Sequence, residues 1–199
     1  MALPLPEING ILRHAVACRW WSLIDMLKAF KQIRIIPEHV TCSTVTTPDE
    51  NIISNVMQIG DCNASATWQA LMTHIFSPYI GKFMDVYLDD IVVYSDSLEE
   101  HIGHVKLIID ILRHEQLYLS EGKLHFLVPE LMILGCVIDR EGICMDPDKV
   151  DVLVKWKVPT NRELLHRFLG VAGFLADNIN QIRVPMGVLH ELTSDSVPF

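Results

Sequence analysis

The sequence predicts an α+β fold in which an antiparallel sheet backed by helices precedes a small helical segment. Three observations carry this. Apolar or alternating stretches at 20–26, 82–94 and 131–145 are bounded by turn residues, as strands are. Around them lie stretches with apolar residues at helical spacing, two opened by capping boxes at Ser97–Glu100 and Thr160–Glu163. From Asp146-Pro147 onward only helical patterns remain. A domain boundary near residue 145 follows, separating residues 1–145 from 146–199.

Taken in order, Ile8, Ile11, Leu12, Ala15 and Val16 set a first helix. Trp20 to Met26 reads as a buried strand carrying a misplaced Asp25, and Ile33 to Ile36 as an extended piece ended by Pro37. Thr41–Thr47 and Ile52–Val56 are rich in β-branched residues around the turn Pro48-Asp49-Glu50-Asn51, which predicts a hairpin. A loop at Gly60–Asn63 leads to a helix with Ala64, Trp68, Leu71, Met72 and Ile75 on one face, ended by Pro78 and Gly81. Lys82–Tyr87 and Ile91–Tyr94 form two strands with Asp89-Asp90 at the bend. The helix after Ser97 shows Ile102, Val105, Ile109 and Leu112 to the core. Leu131–Ile138 and Ile143–Met145 pair around Asp139–Gly142. Asp146 caps a helix with Pro147 in its first turn, and the helix after Thr160 buries Leu164, Phe168, Val171 and Leu175.

Composition bounds the function. Of 199 residues, 50% are apolar and 21% charged, which supports a sizeable core and excludes wholesale disorder. No apolar run reaches the roughly 18 residues needed to span a membrane. The start, Met1 to Glu7, lacks the basic-then-apolar order of a signal peptide. An intracellular protein, cytoplasmic or nuclear, is expected. Cys18, Cys42, Cys62, Cys136 and Cys144 contain no C-x-x-C pair, which favours free thiols over a zinc knuckle. The net charge of −9 runs against the basic excess of nucleic-acid binders, so either the basic surface is local or part of it is expected on a segment this chain lacks.

The carboxylates carry the chemistry. Asp25 interrupts an apolar strand, and Asp89 and Asp90 sit between two apolar strands. If those strands are neighbours, three carboxylates meet at one end of a sheet. Their mutual repulsion then calls for a bound cation. Magnesium takes oxygen ligands, typically one or two carboxylates with phosphates and water. Read alone, a pair such as Asp89-Asp90 is usually just a solvated turn, and an acid such as Asp25 within a strand is often a bulge or an edge residue. His101-Ile102-Gly103-His104 matches a nucleotide-binding tetrapeptide of class I aminoacyl-tRNA synthetases. It lies in an amphipathic helix rather than after the first strand of a Rossmann unit, so that reading fails. A surface face outweighs a metal pair at His101 and His104.

Tyr87-Leu88-Asp89-Asp90, preceded by Asp85-Val86 and followed by Ile91-Val92-Val93-Tyr94-Ser95, resembles the reverse transcriptase signature. The likeness is to gypsy-type long-terminal-repeat retrotransposons, especially fungal ones, and runs in order from about Leu5 to the C-terminus. It implies a polymerase palm with a remnant of the fingers over 1–145 and the helical thumb, or start of the connection, over 146–199. It implies RNA- and DNA-templated DNA synthesis with two Mg²⁺ (or Mn²⁺) ions, a primed RNA or DNA template and deoxynucleoside triphosphates as partners, and no membrane.

The resemblance also implies roles. Ser22 to Ile33 is similar to the first palm motif, making Asp25 a metal ligand beside Asp89 and Asp90. Phe30 falls where the family keeps an aromatic gate against the ribose 2′-hydroxyl; by itself Phe30 reads equally as a core aromatic. Val56 to Gln69 resembles the motif behind the incoming nucleotide, with Gly60 and Gln69 beside the substrate and Tyr87 completing that set. Leu119 to Lys123 resembles the motif that brings a lysine to the triphosphate, though Lys123 also reads as a solvated turn lysine. Leu134, Gly135 and Cys136 lie in a stretch similar to the primer grip. Lys149, Lys155, Lys157, Arg162 and Arg167, in a stretch like the thumb, become candidates for backbone phosphates.

Departures are expected to matter. Relatives carry a long fingers segment before the piece that starts near Leu5, and a ribonuclease H domain after the thumb. They also keep a lysine where Cys42 stands, often Gln or Phe at Ile59, and Pro at Ser65. Two readings follow: a partial polymerase, inactive if truncation removes its triphosphate grip, or a non-catalytic remnant that binds nucleic acid or protein.

Overall fold

The computed structural model describes residues 5–176, 179, 181–194 and 197; the side chains of Phe174 and Leu175 lie outside the described residues. The chain divides into two compact units, Met1–Leu131 with Ile138–Gly142, and Met132–Val137 with Ile143–Phe199.

In the first unit, α1 (Ile8–Val16) leads into β1 (Trp20–Asp25). A hairpin of β2 (Val45–Thr46) and β3 (Asn51–Ile52) precedes α2 (Ala64–Phe76). Then come β4 (Met84–Tyr87), β5 (Asp90–Ser95), α3 (Leu98–His114) and β6 (His125–Val128). The four longer strands form one antiparallel sheet in the order β4-β5-β1-β6.

Strand alternation gives this sheet two faces. Ile24, Met84, Val86, Ile91 and Val93 join Trp68, Met72 and Phe76 of α2 and Ile108 and Leu112 of α3 in one core. The side chains of Trp68, Met72 and Phe76 are fully buried, each worth about 1.5–3 kcal/mol against exposure. On the other face, at the α1 end, Trp21 donates its indole N–H to the Ala15 carbonyl at 2.8 Å. There too His14 Nδ1 meets the buried Asp85 Oδ2 at 2.8 Å, and Tyr94 donates to the same oxygen at 3.0 Å. The opposite end of that face carries Asp25 and Asp90, both half-buried.

Several expectations are corrected. Thr41–Ser43 is not strand: Pro37–Ser43 forms a 3-10 helix, and the hairpin shrinks to two residues a side. Hydroxyls compete with strand pairing there: Ser43 Oγ donates to the carbonyls of Val40 and Ser54, and Thr44 Oγ1 to that of Thr41. The Ser97 cap holds, accepting from Glu100 N–H at 3.3 Å. The helix it opens, however, faces the core with His101, Ile108 and Leu112, while Ile102 is 41% exposed. A buried histidine, hydrogen-bonded through both ring nitrogens to Ser22 and Ser95, rotates the face away from an all-apolar reading.

The expected strand 131–138 breaks in two. β7 (Leu131–Ile133) and β8 (Cys136–Ile138) are joined by Leu134-Gly135, and β9 (Ile143–Met145) completes a three-stranded sheet. Leu134 and Gly135 both have positive φ, 52° and 79°, the backbone of a two-residue hairpin turn. Asp146 caps α4 (Pro147–Val154) by accepting from Asp148 N–H at 3.0 Å. The next cap is Asn161 rather than Thr160; its Oδ1 accepts from Leu164 N–H at 2.9 Å. The helix, α5 (Arg162–Leu175), therefore starts one residue later, and buries Leu165, Leu169 and Ala172 instead of Leu164, Phe168 and Val171. The Leu175 side chain expected on that face is outside the described residues. α6 (Arg183–Glu191) follows.

Candidate active site

Register brings the first two carboxylates together. Along β1 and β5, Trp20 pairs with Ser95 and the ladder runs without a slip to Asp25 opposite Asp90. Paired residues of an antiparallel ladder project to the same face, so these side chains share the half-open end of the sheet. Tyr87 pairs with Asp90 across β4 and β5, which leaves Leu88 and Asp89 as a two-residue turn. Just past β1, Met26 N–H donates to the Asp89 carbonyl at 3.0 Å, so the turn is tied to Asp25's own strand.

The turn is strained and held. Leu88 has φ of 50°, in the left-handed region, at a cost of about 1–2 kcal/mol for a residue with a side chain. Its N–H donates to Gln69 Oε1 at 2.8 Å, and its carbonyl accepts from Trp68 Nε1 at 2.9 Å.

Electrostatics at the site oppose three charges. Burial, and then the neighbouring Asp25 carboxylate, push the Asp89 carboxyl up, and Lys123 partly offsets this. The Asp90 carboxyl is pushed up by burial, then by Asp25 and Asp89. Asp89 Oδ1 is buried without a hydrogen-bond partner. Lys123, in the 3-10 turn Glu121–Lys123, places Nζ 3.0 Å from Asp25 Oδ2. The backbone of that segment is anchored by Ser120 N–H on the Asp25 carbonyl at 3.0 Å.

These groups suit a hard cation. All the acidic donors are oxygens, Lys123 offsets the repulsion among them only in part, and one buried oxygen lacks a partner. Among the described residues no group of three ligating side chains is drawn up as it stands. Lys123 engages Asp25 Oδ2 instead.

The other expected residues fall into distinct places. Phe30 is half-buried in the 3-10 turn Ala29–Gln32 and packs against the core. Gly60 is exposed with φ of 105°, a conformation that favours glycine, and a Cβ there would meet nothing within 4 Å. Gln69 is 1% exposed and both ends of its amide are engaged, so it serves the turn from beneath. In the second unit, Leu134 and Gly135 form the β7–β8 turn and Cys136 is buried at the start of β8. Lys149 lies on α4, and Lys157 is exposed between α4 and α5. Lys155 pairs with Asp151 and Arg167 with Glu163, each one helical turn back. Arg162 donates to the Val197 carbonyl.

Sequence reasoning missed three groups. Gln32 bridges two segments, donating to the carbonyls of Leu27 and Tyr118 and accepting from Tyr118 N–H. Asp85 is bound by His14 and Tyr94, and Trp68 supports Leu88. Asp85 alone left a signal, as an acid within an apolar strand.

Residues 4–138 match the family described as reverse transcriptase (RNA-dependent DNA polymerase). Over 171 residues, 86% of the chain, the sequence is 33% identical to a retrovirus-related Pol polyprotein from transposon 297 of Drosophila melanogaster. It is 23% identical over 171 residues to the corresponding polyprotein from transposon gypsy of the same organism. The chain spans 16% of the length of each. A foamy viral protease-reverse transcriptase solved in complex with an RNA/DNA hybrid superposes with a TM-score of 0.89 at 20% identity, covering 100% of this chain and 27% of that one. That likeness concerns the fold.

Proposed function

The chain belongs to the reverse transcriptase (RNA-dependent DNA polymerase) family, and we propose that it carries the catalytic palm of a gypsy-type retrotransposon polymerase, extending a primer on an RNA or DNA template with deoxynucleoside triphosphates. In this reading residues 1–145 are palm with part of the fingers and 146–199 begin the thumb. The gypsy assignment rests on the ordered motifs and on the likeness to the gypsy polyprotein; the fungal-like character within it rests on the motifs alone. An intracellular site of action accords with those partners; among the described residues no helix is long and apolar enough to cross a membrane.

The observation that carries the reading is the pairing of Asp25 with Asp90, beside Asp89 and its unpartnered Oδ1. Asp25, Asp89 and Asp90 would hold two magnesium or manganese ions. Such ions, when bound, acidify a primer hydroxyl and neutralise the charge on leaving pyrophosphate. The chain's own part is positioning. The β1–β5 ladder fixes two carboxylates, the turn fixes the third, and Lys123 is near enough to turn from Asp25 to a phosphate. Phe30, Gly60 and Tyr87 would border the nucleotide. Leu134-Gly135-Cys136 would grip the primer, and Lys149, Lys155, Lys157, Arg162 and Arg167 would meet phosphates. The exposed pairs of Lys155 and Arg167 are weak enough to yield to phosphate.

Primer extension on an RNA template with Mg²⁺ tests this. Template-dependent extension that disappears in Asp89→Asn is expected; equal signal in both sinks the reading. A second reading, a fold that binds nucleic acid or protein without polymerising, is favoured by the net charge of −9. Calorimetric Mg²⁺ and Mn²⁺ titration separates the two. Only the polymerase requires binding that vanishes in Asp25→Ala.

A further inference from the structure

Both polar groups of one strained peptide residue are committed to one helix. Leu88, at φ of 50°, gives its N–H to Gln69 Oε1 at 2.8 Å and takes the Trp68 indole N–H on its carbonyl at 2.9 Å. Gln69 is itself oriented: its Nε2 donates to the Val86 carbonyl at 3.2 Å, which leaves Oε1 turned toward Leu88. Trp68 is 0% and Gln69 1% exposed, so neither is free to serve solvent or ligand. They are consecutive on α2, and between them they engage both the N–H and the carbonyl of Leu88.

Neither bond is required to complete the hairpin, since β4 and β5 already pair from Met84–Val93 to Tyr87–Asp90. What the bonds do is select one conformation of the turn. A leucine released from them would relax toward negative φ, and the peptide that carries Asp89 would rotate with it. We propose that Trp68 and Gln69 are positioning residues: a clamp that holds Leu88 left-handed and thereby sets where the Asp89 carboxylate points, beside the Asp90 that the ladders already hold. The inference rests on the cation-binding reading of those carboxylates, and its test keeps the two apart.

Trp68→Phe keeps the buried ring but loses the N–H; Gln69→Met keeps the volume but loses both amide ends. Both are made in the full chain, with circular dichroism to show that the fold persists. Two readouts are taken. The first, independent of metal, is the conformation of Leu88, from its three-bond amide coupling and its amide exchange. The second is Mn²⁺ affinity by calorimetry. In Gln69→Met the Leu88 amide should exchange about tenfold faster while the core stays protected. In either variant Mn²⁺ affinity should fall about fivefold, the scale of one net hydrogen bond. The same Trp68→Phe change made in Leu88→Gly should cost less than about twofold, because glycine adopts positive φ without strain.

A core-filling role would lower the melting temperature yet leave Leu88 left-handed and Mn²⁺ affinity within about twofold, given the size of a single hydrogen bond; that outcome overturns the clamp. Parent protein whose Mn²⁺ binding is absent, or indifferent to Asp90→Asn, overturns the polymerase reading instead, and the Leu88 conformation still decides the clamp.

Discussion

Lys123 Nζ lies 3.0 Å from Asp25 Oδ2, on the carboxylate that pairs with Asp90 across the sheet. The lysine side chain is 66% exposed and the aspartate 16%. Hydrogen bonding to Asp25, and then its charge with those of Asp90 and Asp89, raise the lysine's affinity for its proton. A point charge on a flexible four-carbon stem is well suited to leave when a better cation arrives. Lys123→Met should therefore tighten Mn²⁺ binding a few-fold and make it more sensitive to salt, because the site is then more negative, measured by calorimetry. Weaker binding in Lys123→Met would show that the lysine orders Asp25 rather than competing for it.

The same crowding of carboxylates is a burden on stability. The Asp89 and Asp90 carboxyls are both raised in the folded chain, first by burial and then by their acidic neighbours. Folded protein thus holds protons that the unfolded chain has released. The associated stability is present below the ordinary value of 3.8 and is lost as pH rises through the raised folded values. At pH 7 with chelator, Asp90→Asn should melt about 2–4 °C above the parent, the shift that ~1 kcal/mol produces in a chain of this size. Added Mn²⁺ should raise the parent's melting temperature and leave the variant's unchanged.

How far the sequence could reveal this site depended on the kind of signal each residue left. Asp25, Asp89 and Asp90 stood out because acids among apolar strand residues break a pattern, and register then did the rest. Gln69 looked like part of a substrate motif, but burial and two bonds under Leu88 are long-range facts that no local spacing encodes. The two helix faces were misread for a related reason. In α3 the buried position is a histidine whose partners Ser22 and Ser95 come from other strands. In α5 the cap moved from Thr160 to Asn161, and the buried face followed. The break in 131–138 was hidden because Leu134 is an unusual residue for a left-handed turn.

That buried histidine predicts an acid limit. His101 is 0% exposed, and burial, with a smaller effect from His104, pulls its imidazole down to about 4. Nε2 faces Ser22 Oγ on β1 and Nδ1 faces Ser95 Oγ on β5, whose hydroxyl also meets His104 Nδ1 at 2.8 Å. His104 is lowered by burial too, with Glu100 pulling the other way. Between 6.5 and about 4 the unfolded chain binds a proton at His101 that the folded chain refuses. Stability should therefore fall with pH across that window, by roughly 3 kcal/mol in all. Urea unfolding at pH 7 and pH 5 would show it, and His101→Gln should flatten the difference. An unchanged slope in that variant would move the acid sensitivity elsewhere.

The β7–β8 turn carries backbone strain. Leu134 and Gly135 adopt φ of 52° and 79°, a backbone for which Asn-Gly is favoured and leucine is strained. Leu134→Asn should accordingly stabilise the chain by about 1 kcal/mol, part of the cost of a left-handed leucine. Neighbouring Met132 is 54% exposed, so the turn presents apolar side chains where a purely structural hairpin would favour polar ones. If Leu134 meets the primer, the stabilised variant should bind an RNA/DNA hybrid more weakly, by about fivefold for one lost apolar contact. Urea unfolding paired with fluorescence anisotropy reads both quantities on one sample. A gain in stability with unchanged affinity would leave the strained leucine without a nucleic-acid role and remove the turn from the primer grip.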